Sequence, residues 1–235
     1  MRAYRLETPP LDAAAQMAAD ETILESAGPD ACFLRLYRWE GPAPHGVTFG
    51  FSQRWEDALS AVRQRYPAVT FPVVRRMTGG GVVFHDGDLT FSFVFPWERL
   101  IGPLALYKSI HRGVMAGLRG VGVQSGLWEP AAKPAAGLQE RCFPSPVPMD
   151  LTLSDGEKIL GGALRRRRGI GLYQGSLRPE RLGLPREALE RGVEEGLSLQ
   201  WRTLFEPCPL APAAAAAVER LARERYGRDD WNRRR

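Results

Sequence analysis

The sequence predicts an α/β (α+β) protein with a mainly antiparallel sheet and peripheral helices. Three observations carry this. Short runs rich in β-branched and aromatic residues recur along the chain, as half-buried strands require. Residues 89–95 alternate strictly, with Leu89, Phe91, Phe93 and Phe95 on one side and Thr90 and Ser92 on the other. Residues 104–118 carry Tyr107, Ile110, Val114 and Leu118 at helical spacing.

In chain order, Asp12 can cap a helix over residues 13–26, with Met17 and Leu24 on one face. Residues 33–39 and 47–51 read as strands, 55–66 as a short helix and 69–76 as a strand. The helix over 104–118 is expected to end before Gly120. A Pro/Ala-rich connector over 129–137 precedes strands at 149–153 and 158–164, joined by the hairpin signal Ser154-Asp155-Gly156. Arg165, Arg166, Arg167 and Arg168 are read as a solvated turn before a strand over 171–177. From Pro185 the chain turns helical, with an alanine run at 213–217. This gives one domain over 1–235, with a core of about 10–180 and a helical extension over 181–235 that is too short to stand alone.

Composition narrows the function. A chain of 235 residues, 44% hydrophobic and 25% charged, can bury a sizeable core. No apolar run approaches the roughly 18 residues of a membrane span, and the opening residues hold no apolar signal core. Cys32, Cys142 and Cys208 are too far apart for a zinc site, which favours a reducing cytoplasm. The net charge of +5 suits an acidic protein partner or a phosphorylated ligand. No nucleic-acid-binding motif and no metal constellation is present.

Two segments carry chemistry. Residues 75–86 read Arg-Arg-Met-Thr-Gly-Gly-Gly-Val-Val-Phe-His-Asp. Gly79, Gly80 and Gly81 allow close backbone approach to a ligand, and Arg75 and Arg76 can hold a carboxylate or phosphate bidentately. A glycine-rich hairpin with solvated charges is the plainer alternative. The second segment, residues 142–164, places Cys142 in a proline-stiffened loop and Lys158 at the start of the strand after a tight turn. A lysine ammonium near a thiol favours the thiolate, and near an acyl carbonyl it stabilises oxyanion charge. His85 is a candidate proton relay or a structural histidine. Cys32 and Cys208 read as packing residues.

Taken together, the chain resembles the superfamily of lipoate-protein ligases, octanoyltransferases and biotin ligases. The resemblance runs through Leu34-Arg35-Leu36-Tyr37-Arg38-Trp39, Thr48-Phe49-Gly50-Phe51-Ser52-Gln53, Arg75-Arg76-Met77-Thr78-Gly79-Gly80-Gly81, Asp88-Leu89-Thr90-Phe91-Ser92 and Gly156-Glu157-Lys158-Ile159-Leu160-Gly161-Gly162-Ala163. It implies the biotin/lipoate-protein ligase catalytic-domain fold. Cys142-Phe143, with Pro146 following and Asp150 before the next strand, is similar to the loop of the cysteine-dependent octanoyltransferases.

That branch implies an acyltransferase moving an octanoyl or lipoyl group from acyl carrier protein, through a Cys142 thioester, to a lysine of a lipoyl-carrier domain. Such acceptors are the glycine cleavage H protein and the E2 subunits of 2-oxoacid dehydrogenases. Cys142 and Lys158 are then catalytic. Arg75, Arg76, Gly79, Gly80, Gly81, His85, Gly161, Gly162 and Ala163 bind substrate along an apolar tunnel. No cofactor is required. The alternative within the resemblance is an ATP- and Mg2+-dependent lipoate-protein ligase acting through lipoyl-AMP. Gly79-Gly80-Gly81 and His85-Asp86 look ligase-like, and Gly162 stands where family members often have serine.

Overall fold

The computed structural model describes residues 1–68, 71–129 and 146–234. Eleven strands and six α-helices follow in the order β1 (Arg2–Glu7), α1 (Ala13–Ser26), β2 (Ala31–Leu36), β3 (Gly46–Phe49), α2 (Trp55–Arg65), β4 (Val73–Arg75), β5 (Val83–His85), β6 (Leu89–Pro96), α3 (Pro103–Gly120), β7 (Gly126–Leu127), β8 (Leu151–Thr152), β9 (Lys158–Arg167), β10 (Ile170–Leu177), α4 (Arg186–Trp201), β11 (Glu206–Pro209), α5 (Pro212–Leu221) and α6 (Asp229–Asn232) among these residues. The main sheet has the order β11-β1-β2-β6-β10-β9-β8-β7, and a small sheet runs β4-β3-β5. β1 pairs parallel with β11 and β2, and the pairs from β2 to β7 are antiparallel. No helix among the described residues is long and apolar enough to cross a membrane.

The expected elements recur with informative differences. Asp12 caps α1 by accepting from the Ala15 amide at 2.8 Å. The four arginines are not a turn: Arg165, Arg166 and Arg167 lie in β9, and only Arg168 and Gly169 turn, with φ of 49° and 81°. Eight-residue pairing between β9 and β10 fixes that two-residue hairpin, whose paired positive φ values match the strand twist. The glycine that ends α3 in the left-handed region is Gly122 (φ 95°), since Gly120 is still helical. The strand expected over 69–76 is described as β4, Val73–Arg75, with residues 69 and 70 outside the described residues. β1 and the edge strand β11 were not expected at all.

The main sheet has two unlike faces, and the alternation of β6 creates them. Leu89, Phe91, Phe93 and Phe95 enter the largest apolar cluster, with Ile110, Val114 and Leu118 of α3 and Leu189, Val193 and Leu197 of α4. Helices α3 and α4 meet through glycines. A Cβ on Gly117 would overlap the Gly192 carbonyl oxygen, and one on Gly113 would lie 2.9 Å from the Gly196 carbonyl oxygen. The opposite face, covered by α1 and the small sheet, combines an apolar patch of Val94 and Leu172 against Ile23 and Leu24 with a buried polar network. There Asp20 accepts from Ser92 Oγ at 2.6 Å, Gln174 Nε2 at 2.6 Å, Arg35 Nε at 3.2 Å and the Tyr37 hydroxyl. This carboxylate is fully buried, and its four donors replace the water it has lost.

The apolar face also buries a histidine, His111 of α3. Its Nε2 lies 2.7 Å from the Tyr173 hydroxyl, its Nδ1 is buried without a partner, and burial pushes its pKa down to about 3.

Two stability predictions follow from these contacts. Gly117→Ala must drive backbone against backbone at the α3–α4 crossing, and urea unfolding should show a loss of about 1–3 kcal/mol. An unchanged midpoint would contradict the close approach. For His111, the folded pKa lies below the unfolded value of 6.5, so the unfolded chain binds the extra proton first. Its penalty is absent above about pH 6.5 and grows as pH falls toward about 3. The stability gap between the wild type and His111→Gln should therefore shrink between pH 7 and pH 4.5. Parallel pH profiles would refute the buried neutral imidazole.

Candidate active site

Sequence dictates that residues 161, 163 and 165 of β9 share one face, the face that looks toward α1 and the glycine loop. The cross-strand partners agree: Gln174 stands opposite Ala163, Ser176 stands opposite Gly161, and both belong to the polar side. Lys158 opens β9 and folds back over Gly161. A Cβ on Gly161 would lie 2.5 Å from the Lys158 Nζ, so only glycine leaves room for the ammonium here.

Asp150 fixes that ammonium. Its Oδ2 lies 2.8 Å from Lys158 Nζ and accepts from the Val147 amide at 2.8 Å, while its Oδ1 accepts from the Tyr107 hydroxyl at 2.5 Å. The carboxylate is wholly buried, and the Lys158 side chain is 9% exposed. The Tyr107 oxygen in turn accepts from the Gly162 amide at 3.0 Å. Burial, and then the charge of Asp150 and the nearby Tyr173, hold the Tyr107 phenol far above its usual pKa, so it stays a donor. Tyr173 fills the space beside Gly162, where a Cβ would lie 2.5 Å from its Cε2. Glycine at 162 is thus the steric complement of Tyr173.

The glycine loop lies across the same face. Gly80 adopts φ 88°, and a Cβ there would lie 3.7 Å from the Ala163 Cβ, which brings the two predicted segments together. Thr78 Oγ1 donates to Gln174 Oε1 at 2.6 Å and ties the loop to the Asp20 network. Arg76 is 5% exposed; its Nη2 donates to the Gly79 and Gly81 carbonyls at 2.7 and 2.8 Å, and its Nε donates to Gly79 at 3.1 Å. Burial lowers its pKa to about 10. The guanidinium shapes the loop from behind.

Arg75 points elsewhere. Its Nη1 donates to the carbonyls of Phe51 and Gln53 at 2.8 and 2.6 Å. Its Nη2 donates to those of Asn232 and Arg234 at 2.9 and 3.0 Å, and its Nε to Trp231 at 3.2 Å. Five main-chain carbonyls therefore occupy the arginine expected to grip a ligand, and it clasps the C-terminal residues instead. His85 is 2% exposed, with Nδ1 3.1 Å from Asp88 Oδ2 and Nε2 3.0 Å from Thr48 Oγ1. Burial alone would raise the Asp88 carboxyl; the His85 imidazole and the hydroxyls of Ser176 and Thr90 outweigh it and hold the pKa low. His85 reaches the β9 row through Asp88 and Ser176, the residue opposite Gly161, and the glycine loop through Thr48 and Arg76.

The structure thus gathers Lys158, Gly161, Gly162, Ala163, Gly79, Gly80, Gly81 and Arg76 at one place and sets Arg75 and His85 in supporting networks. Cys142 lies outside the described residues. The described chain on either side converges near Asp150: Met149 N donates to Trp128 O at 2.9 Å, and Trp128 N donates to Asp150 O at 2.7 Å. Cys32 is buried and its thiol pKa is raised by burial to about 11, as a packing cysteine requires. Sequence reasoning assigned no role to Asp150, Tyr107 or Tyr173. An acidic residue preceding the lysine strand was visible, but its partners come from α3 and β10. Among the described residues no cluster of three acidic, histidine or cysteine side chains is placed to hold a metal ion.

Known proteins are similar to this chain in sequence and in fold. Two octanoyltransferases named LipM, from Halalkalibacterium halodurans and Staphylococcus aureus, are each 27% identical to the chain. The first alignment covers 94% of this chain and 95% of that protein, and the second covers 92% of each. Among solved structures, lipoate-protein ligase A bound with ATP superposes with a TM-score of 0.79 at 21% identity, covering 99% of this chain and 98% of that one. Protein Ta0514 from T. acidophilum with bound lipoic acid gives 0.78 at 21%, with the same coverage. At that identity the ligase structures establish the fold, which is that of lipoate-protein ligase catalytic domains. Residues 12–179 match the family described as lipoyl protein ligase A/B catalytic domain, and the chain belongs to it.

Proposed function

We propose that the protein is an octanoyltransferase that moves an octanoyl group from acyl carrier protein to a lysine of a lipoyl-carrier domain. The observation that carries this reading is the Lys158 ammonium, held by the buried Asp150 over Gly161, two residues along β9 from Ala163, which Gly80 of the glycine loop approaches. Relatives named octanoyltransferase align with nearly the whole chain and support the choice of chemistry. The T. acidophilum ligase whose structural study includes an E2 lipoyl domain shares the fold at a TM-score of 0.76 and supports a lipoyl domain as acceptor.

In this mechanism the Cys142 thiolate attacks the carbonyl carbon of the donor thioester. The tetrahedral oxyanion is met by the Lys158 ammonium, the bond to the carrier sulfur breaks, and the carrier thiolate leaves and takes a proton. A neutral lysine of the acceptor domain then attacks the new thioester, forms the amide and expels the Cys142 thiolate, while the amine proton passes to solvent. The acyl donor arrives already activated, so the transfer needs neither ATP nor magnesium. Lys158 acts from a fixed position because Asp150, with Tyr107 and the Val147 amide behind it, leaves the ammonium one orientation. Val147 is five residues from Cys142 along the chain, which couples the nucleophile's loop to the same carboxylate. Gly79, Gly80, Gly81 and Ala163 form the wall along which the acyl chain lies. Each buried methylene contributes about 0.8 kcal/mol, so depth selects chain length.

The test is intact mass after mixing the protein with octanoyl-acyl carrier protein and no nucleotide. A gain of one octanoyl group, abolished by Cys142→Ala and retained by Cys32→Ala, is the expected result. No adduct, together with ATP-dependent modification of a lipoyl domain from free lipoate, would overturn the reading in favour of the ligase.

A further inference from the structure

Four residues beyond Gly161 on the same face of β9, about 13 Å along the strand, stands Arg165. Its guanidinium lies over the Phe51 ring at 5.0 Å. Arg234 approaches the same ring at 4.0 Å and the Trp231 ring at 3.9 Å. Among the described residues neither guanidinium makes a hydrogen bond or an ion pair, and the Arg165 Nε is buried without a partner. The nearby carboxylate, Glu21, is already taken by Arg225 and by the Tyr226 hydroxyl at 2.8 Å. Burial, then repulsion from Arg225 and Arg165, lowers the Arg234 pKa, so these cations crowd one another without a counter-charge of their own.

Holding like charges together costs free energy, and the protein does it deliberately. The buried Arg75 donates to the carbonyls of Trp231, Asn232 and Arg234, and Trp231 Nε1 donates back to Arg75 O at 2.7 Å. That clasp fixes the backbone that presents Arg234 to Phe51. Elsewhere on this surface the arginines are neutralised: Arg167 pairs with Glu25 at 2.6 Å, and Arg233 pairs with Asp229 at 3.3 Å. Two unpaired forks converging on an aromatic platform suit a phosphate, which accepts from both.

We propose that Arg165 and Arg234 bind the phosphate of the donor's phosphopantetheine arm while the thioester at the other end of that arm reaches Lys158. The identity of the arm rests on the transferase reading. The spacing along β9 is one that a pantetheine chain can bridge. The Arg75 clasp on Trp231, Asn232 and Arg234 thereby supplies half of the anion grip.

The experiment titrates the whole protein with 4′-phosphopantetheine, pantetheine and ATP, following Trp231-sensitive fluorescence. Phosphopantetheine should bind at least about tenfold tighter than pantetheine. Arg165→Gln and Arg234→Gln, each checked for native circular dichroism, should bring the two probes to within about twofold. Arg165→Lys keeps the charge and should retain part of the preference. Equal binding of the two probes by the wild type overturns the proposal. ATP binding that is tighter than phosphopantetheine binding and is lost in Arg165→Gln also overturns it and assigns the site to a nucleotide. Separately, octanoyl-phosphopantetheine and octanoyl-pantetheine are compared as donors by intact mass. Adduct from neither sinks the transferase reading while leaving the phosphate preference measurable on its own.

Discussion

The Asp150 carboxylate is the constraint on which the site depends. It is buried, so its charge must be met inside the protein, and three donors from three directions meet it: Lys158, Tyr107 and the Val147 amide. A buried carboxylate with a missing partner costs several kcal/mol, which locks all three groups in place. The lysine cannot swing to solvent, α3 cannot drift from β9, and the return of the chain from the segment bearing Cys142 is pinned to the same oxygen. Glycines at 161 and 162 then serve two side chains, the first making room for the Lys158 amine and the second for the Tyr173 phenol.

The two faces of the main sheet divide the work. The apolar face packs against α3 and α4 and contributes stability through close, glycine-mediated helix contact. The opposite face holds buried acids, Asp20 and Asp88, each surrounded by hydroxyl, amide, guanidinium or imidazole donors. Those networks carry the glycine loop by Thr78 and Arg76, so the loop is fixed from below before any substrate arrives. Arg75 extends the same logic to the C-terminus, using one guanidinium to hold five carbonyls. Pre-organisation of this kind lets a small number of exposed groups act without first being ordered.

Much of this was readable beforehand. The cap at Asp12, the period-two pattern of β6 and the turn at Gly156 each rest on local chemistry, and each appears at its expected place. The convergence of the glycine loop with Gly161, Gly162 and Ala163 was signalled by the ordered motifs of the resemblance. What escaped is what only long-range partners decide. β1 and β11 are short and pair with each other across most of the chain. The arginine run looked like a solvated turn because charge dominates its composition, yet register with β10 draws three of the four into a strand. Arg75 looked like a ligand grip because nothing nearby in sequence reveals that residues near 232 will claim it. Tyr107 read only as part of an amphipathic helix face and Tyr173 was not singled out, since their hydroxyl partners, Asp150 and His111, lie 43 and 62 residues away.

The proposed mechanism turns on the Lys158 ammonium, fixed by Asp150, acting on the Cys142 sulfur. The direct measurement is the rate of Cys142 alkylation by iodoacetamide against pH, with Cys32 and Cys208 replaced by alanine, for the parent and for Lys158→Met. A neighbouring cation should depress the thiol pKa, so removing it should move the midpoint upward by about one unit or more. Superimposable profiles would contradict the claim, because the lysine would then have no electrostatic hold on the nucleophile.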